Sequence, residues 1–257
     1  GVAVPGPYLR REGRIAVMTE FAGWEKIDIC KQLGAAFEQP VFVEHDANAG
    51  ALGEWSRSAN IGRDDVLVHL LASEGIGAGV VIGGKIISGY RGIFGEVGHM
   101  SIEMDGEECP CGRRGCWERY ASASALKRQT AKAWQENPDS ILAQVIAEND
   151  NHVSGQSAFI AARRGCPVGQ AVCDRYIRYL TAGTVNIINI FQPDTLAIGG
   201  GVSNESDEQL LLPLRRQVAA HSLPCNYDKM TKIVKAQLGN DAGIIGAALL
   251  GKNKRII

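Results

Sequence analysis

Hydrophobic and polar positions along this chain follow two alternating periods. Short apolar runs that end in polar or glycine residues read as strands. They are the opening VAV, Gly13–Val17 as the second arm of a hairpin, Pro40–Asp46, Asp65–Ala72, Val80–Gly84, Lys85–Ser88, Thr195–Val202 and Lys232–Leu238. Between them apolar residues recur at helical spacing. Trp24–Phe37 carries Ile27, Ile29, Leu33 and Phe37, with Asp28 in its first part. A helix with Ala47, Ala51, Leu52 and Trp55 on one face follows Asp46. Further helices are expected over Tyr120–Ile146, broken at Asn137-Pro138, over Gln156–Arg164, over Pro167–Asn189, from about Glu208 to His221, and over Asp241–Gly251. Strands alternating with helices predict an α/β fold with mixed sheets. The opening run starts abruptly, so further sequence is expected upstream of Gly1. No short internal repeat is visible.

Composition narrows the function classes. The 257 residues carry a net charge of −1 and 45% hydrophobic positions, as in an ordinary globular protein. The pairs Arg113-Arg114, Arg163-Arg164 and Arg215-Arg216 are isolated, which argues against a nucleic-acid surface on this chain. There is no run of about 18 apolar residues and no signal-peptide pattern, so no membrane partner and a cytoplasmic location are expected. The seven cysteines are an odd count with three clustered, which favours a metal site over a disulfide framework. Cys30, Cys166, Cys173 and Cys225 are scattered and read as ordinary structural positions.

The densest chemistry lies in Gly95–Glu118. Cys109, Cys111 and Cys116 supply three thiolates on a loop tightened by Pro110, Gly112 and Gly115, and His99 can add an imidazole. Cys3His is a closed tetrahedral zinc set, so the zinc is expected to be structural and not hydrolytic. Glu96 and Glu118 bracket this set. They are suited to accept hydrogen bonds from vicinal hydroxyls, or are plain surface carboxylates.

Other positions leave alternatives open. Asp46 ends a strand and starts a helix, where ligands bind in open α/β sheets. It reads first as a helix cap and second as a general base. His45 alone reads as a packed histidine. In Ser73-Glu74-Gly75-Ile76-Gly77-Ala78-Gly79, the alternating glycines suggest a turn nearly free of side chains that could cradle phosphate. Glu74 would repel phosphate unless a metal intervened. Gly199, Gly200 and Gly201 form a second close-approach loop, compatible with a nucleotide or with simple packing.

GEVGHM followed by CPCGRRGCWE resembles the signature of the ROK family, which unites sugar-responsive repressors and sugar kinases. VFVEHDANAGALGE, SEGIGAG, LAIGGGV and LGNDAGIIGAA follow in the family's order, so the resemblance spans essentially the whole chain. It implies a two-lobed, actin-like or hexokinase-like ATPase fold, with the N-terminal lobe incomplete in this chain. Residues 1–45 would be the remainder of the small lobe, 46–236 the large lobe with the zinc loop, and 237–257 a C-terminal helix returning to the small lobe. The resemblance also implies that His99 joins zinc to sugar and that His45, Asp46, Glu96 and Glu118 line a sugar site. Asp46 would be the base in a kinase, with ATP and Mg²⁺ as its further requirements.

Departures from the kinase pattern tilt the expectation. His45 stands where kinases carry Asn and Glu74 where they carry Thr; Glu20, where the family has a sugar-contacting Asn, leaves the identity of the sugar open. The first phosphate motif of the kinases, Asp-x-Gly-x-Thr, and the winged helix-turn-helix of the repressors are both expected upstream of Gly1 and do not separate the two branches, so His45 and Glu74 carry the choice. The regulator branch is therefore expected: a sugar- or sugar-phosphate-binding, oligomerising region, a homodimer or higher homo-oligomer, reaching DNA only through an upstream domain. The alternative is an ATP-dependent hexose kinase. A third possibility is a catalytically silent sugar-binding protein.

Overall fold

Two chain segments far apart in sequence set the architecture, because the central sheet is built from residues 66–86 and 195–235. The computed structural model describes residues 1–6, 8–10, 12–15, 23–24, 27–58, 65–223 and 231–252. Strand β1 (Val2–Val4) and the hairpin β2 (Tyr8–Leu9) and β3 (Arg14–Ile15) open the chain. Helix α1 (Ile29–Phe37) follows, with Asp28 as its N-cap accepting from the Lys31 N–H at 2.9 Å. It starts later than the Trp24 expected from periodicity. Strand β4 (Val43–His45) pairs parallel with β1 and leads directly into helix α2 (Asp46–Arg57).

Strands β5 (Val66–Ala72), β6 (Ile76–Ile82) and β7 (Lys85–Ile86) form an antiparallel meander. Helices α3 (Glu118–Ala121), α4 (Ala123–Glu136), α5 (Ile141–Ala147), α6 (Ser157–Arg163) and α7 (Pro167–Phe191) come next. Then follow β8 (Thr195–Gly199), α8 (Leu211–His221), β9 (Lys232–Lys235) and α9 (Ala242–Lys252). The central sheet has the order β7-β6-β5-β8-β9, with β8 parallel to both β5 and β9. Its mixed character is the one the alternating pattern predicts. Among the described residues no helix is long and apolar enough to cross a membrane.

Strand alternation assigns the two faces of this sheet. Val68, Leu70, Ala78, Val80, Leu196 and Ile198 face a core shared with Trp117, Leu126, Tyr176 and Leu180. Leu67 and Val81 face the other way, against Ala51 and Leu52 of α2 and Leu250 of α9. Two glycine contacts bring α2 and α9 together closely. A Cβ at Gly246 would lie 1.7 Å from the Ala49 carbonyl oxygen, and one at Gly53 would lie 2.3 Å from that of Ala242. Buried Glu54 on α2 ties the pair down by accepting from the N–H groups of Gln237 and Leu238 at 2.9 and 2.8 Å.

The glycine alternation at residues 75–79 has a different cause from the one expected. The turn is confined to Ser73–Gly75, and Gly77 and Gly79 are inside β6. They face α2. A Cβ at Gly79 would sit 2.2 Å from the Ala47 carbonyl oxygen and 2.6 Å from the Ala51 Cβ. The missing side chains let the first turn of α2 rest directly on the sheet. Gly79→Ala is expected to lower unfolding free energy by about 3 kcal/mol, the upper end for an overpacked core, because backbone must move. Urea denaturation reads this as a lower midpoint.

Candidate functional site

The first turn of α2 delivers Asp46 into a cleft. His45 caps the helix from extended backbone, and Asp46 is the first helical residue. The Asp46 carboxylate is therefore not the N-cap. Its Oδ1 accepts from the Ala47 N–H at 2.6 Å and lies 3.1 Å from His45 Nε2. The Asp46 side chain remains 42% exposed while that of His45 is 9% exposed, so the imidazole braces the carboxylate from the buried side.

Glu44 supports the same junction from beneath. It is 1% exposed, and its Oε1 accepts from the His45 N–H and from Asn48 Nδ2, both at 3.0 Å. This residue was not singled out from sequence; a charge inside the buried run VFVEH is the signal that could have found it. Glu44→Ala would leave two buried donors without an acceptor, at a cost of about 1–3 kcal/mol each. A fall in thermal midpoint larger than that of Glu44→Gln, which keeps one acceptor oxygen, is the expected result.

A cleft of about 750 Å³ opens above this junction, within the size range of small-molecule sites. His45, Asp46, Gly75, Gly77, Glu96, His99 and Glu118 all line it, together with Ser73, Ile76, Cys109 and Cys111. The structure thus brings together every expected rim residue and the first glycine loop. Gly199, Gly200 and Gly201 are not among the cleft-lining residues. Gly199 makes room for buried His69, whose Nε2 would be 2.5 Å from an added Cβ. Gly200 has φ +87° and turns against the Ala72 carbonyl. Glu20 lies outside the described residues.

Glycines also lay the second wall of the cleft onto β6. Gly95 has φ +94°, and a Cβ there would be 1.9 Å from the Ala78 carbonyl oxygen. At Gly98 the corresponding distance, to the Ile76 carbonyl oxygen, is 2.2 Å. Between them Glu96 precedes a short 3-10 turn, Val97–His99. Burial raises the Glu96 carboxyl above its ordinary value, opposed by His45 and His99. Its buried Oε1 has no hydrogen-bond partner.

His99, Cys109, Cys111 and Cys116 place one donor atom each within 4.8 Å of one another. His99 Nδ1 is 3.7 Å from Cys109 Sγ, and the Cys111 and Cys116 sulfurs are 3.6 Å apart. With Zn–S bonds of about 2.3 Å, tetrahedral geometry separates two sulfur ligands by about 3.8 Å. The four residues can therefore hold a metal ion, and the donor set suits zinc. Burial pushes the Cys116 thiol up to about 12 and raises Cys109 too, so binding a cation here displaces protons. Trp117, fully buried, locks the end of this loop: its indole N–H donates to the Tyr179 carbonyl at 2.8 Å, and its ring lies over Gly183 of α7.

Glu74 does not line the cleft. Its carboxylate turns to α4, pairs with Lys127 at 2.8 Å and accepts from the Ser124 hydroxyl. The Lys127 hydrogen bond holds its carboxyl below the usual range. Its charge is thus matched outside the space where it would oppose a phosphate. Several of the paired arginines are engaged as well. Arg164 grips Glu148 through two bonds of 2.8 Å, Arg163 reaches Glu205 at 3.1 Å, and Arg114 pairs with Glu108.

A family model described as ROK family matches residues 1–254. The chain belongs to the ROK family. It is 34% identical to a glucokinase of Streptomyces coelicolor over 98% of this chain and 79% of that protein. It is 32% identical to the xylose repressor of Bacillus subtilis over 98% of this chain but 57% of that protein. Among solved structures, a ROK family glucokinase from Streptomyces griseus in complex with glucose and AMPPNP superposes with a TM-score of 0.82 at 31% identity, covering 95% of this chain and 78% of that one. The α/β, hexokinase-like fold expected of this ROK chain is thereby supported. The preference for the regulator branch is corrected: the ROK relatives favour the kinases. Its two grounds also fall away physically, because His45 braces Asp46 and Glu74 is paired with Lys127 outside the cleft.

Proposed function

We propose that this ROK protein is an ATP-dependent hexose kinase with Asp46 as general base. The observation that carries the reading is the position of Asp46. It stands at the N-terminus of α2, in one cleft with the carboxylate rim of Glu96 and Glu118 and with the glycine loop at Gly75–Gly77. Glucokinases among the relatives support the choice of a hexose.

In this reading the sugar binds against Glu96, His99, Glu118 and His45, with vicinal hydroxyls donating to the carboxylates. Glu96, whose side chain lines the cleft, is one such acceptor. Asp46 takes the proton of the attacking hydroxyl as its oxygen bonds to the terminal phosphorus of ATP and the bond to ADP breaks. The proton goes to the carboxylate and the phosphoryl group to the sugar. Ser73 and Gly75 of the turn and Gly77, which line the same cleft with no bulky side chain, leave room for the transferred phosphate beside Asp46. Positioning and charge neutralisation supply most of the rate in such transfers, and Mg²⁺ on the donor phosphates would contribute the latter. The Cys3His cluster would hold a structural zinc ion, which would fix His99 and the loop before Glu118.

A coupled ATP-consumption assay over a panel of hexoses tests the proposal. Hexose-dependent ADP release at the usual kinase scale of about 1–100 per second is expected. No turnover with any hexose, in zinc-loaded protein, would overturn it.

A further inference from the structure

Glu118 touches both halves of the cleft. Its Oε2 accepts from the N–H of Ile76, the first residue of β6 after the Ser73–Gly75 turn, at 2.9 Å. Gly75 leaves the space for this contact, since a Cβ there would lie 2.5 Å from the same oxygen. The other oxygen, Oε1, has no protein hydrogen bond among the described residues, and the carboxylate lines the cleft. Within the turn, Glu74 is tied to α4 by Lys127 and the Ser124 hydroxyl, which leaves the Ile76 N–H side to Glu118. Ser73 closes the turn through its N–H to the Gly75 carbonyl at 3.0 Å, and the Ala123 N–H donates to the Ser73 carbonyl at 2.8 Å. Glu118 and Ala123, the first residues of α3 and α4, thus grip the turn at both of its ends.

We propose that Glu118 is a positioning residue that relays sugar occupancy to the phosphate-facing loop. A sugar hydroxyl on Oε1 fixes the carboxylate, and the fixed carboxylate holds the Ile76 N–H and the backbone of Ser73–Gly77 in place. The loop is then ordered for the donor's phosphates only when the acceptor is bound. The proposal rests on the hexose-kinase reading and adds a direction to it: sugar tightens the nucleotide site, and by linkage the nucleotide tightens the sugar site by the same factor.

Amide hydrogen exchange over residues 71–80 is the test, with wild type, Glu118→Ala, Glu118→Gln and Gly75→Ala, each with and without saturating glucose. In sugar-free protein Glu118→Ala and Gly75→Ala are expected to speed exchange at Ile76 by about tenfold or more, the loss of one charge-assisted hydrogen bond. Glu118→Gln keeps an acceptor for Ile76 and is expected to stay within about threefold of wild type. Glucose should slow exchange at Ile76 in wild type and lower the Kd for AMPPNP, and should do neither in Glu118→Ala. Equal exchange in the Ala and Gln variants would overturn the brace. Wild type that binds glucose with no change at Ile76 or in AMPPNP affinity overturns the relay and leaves the kinase reading standing. Wild type that binds no hexose by calorimetry sinks the kinase reading and the relay with it.

Discussion

Asp46→Asn is expected to lower kcat by about 10²–10⁴-fold, the usual share of general-base catalysis. The replacement is nearly isosteric, so the geometry around it should survive. An amide oxygen can still accept from the Ala47 N–H now bonded at 2.6 Å, and can still face His45 Nε2, now at 3.1 Å. What it cannot do is take a proton from an attacking hydroxyl. Loss of a negative charge at the first helical position costs about 0.3–1 kcal/mol of helix-dipole stabilisation, too little to unfold the protein. The sugar KM should therefore move much less than kcat, and the thermal midpoint should fall only slightly. Steady-state kinetics with saturating ATP separate these quantities. A variant that retains full kcat would remove Asp46 from the chemistry and with it the proposed mechanism.

The case for Asp46 shows where local sequence stops being informative. Residue type and a strand-to-helix junction favoured a cap. The choice between cap and first helical residue depends on backbone direction at His45, which composition does not encode. Glycines pose the same difficulty at larger scale. The alternation at Gly75, Gly77 and Gly79 announces close approach, but not what approaches; here Gly79 receives α2 and only Gly75 and Gly77 reach the cleft. The metal set was legible because all four donors fall within one short segment, and their chemistry restricts the partner. Strands β5 and β6 were legible from alternation. The parallel pairing of β5 with β8 was not, since Leu67 and Thr195 are far apart in the chain and nothing local sets their register. Glu44 escaped notice although its partners, His45 and Asn48, are only one and four residues away, because nothing local says that this strand end is buried.

Treating wild-type protein with a strong chelator, which would empty the Cys3His cluster, is expected to weaken hexose affinity by about tenfold, the equivalent of one misplaced hydrogen bond of about 1.4 kcal/mol. The reason is geometric. His99 belongs to both sites: Nδ1 is 3.7 Å from Cys109 Sγ, and the same residue lines the cleft with Glu96. Without a cation, burial favours protonated Cys109 and Cys116 thiols, which attract His99 only weakly. The loop is then held by its own turns, such as Cys109 N–H to Arg113 and Gly115 N–H to Glu107, and by Arg113 Nη1 on the His99 carbonyl at 3.2 Å. Beyond Cys116 the chain is anchored independently, since Trp117 is packed on α7. The global fold should therefore persist, with unchanged far-UV circular dichroism, while exchange over residues 99–116 rises. Cys111→Ser attacks the exposed ligand, leaves the buried ones in place, and should give a smaller effect in the same direction. Readdition of zinc should restore affinity in the chelated wild type. Calorimetric hexose binding that is equal in zinc-loaded and zinc-free protein would show that His99 is positioned by the polypeptide alone.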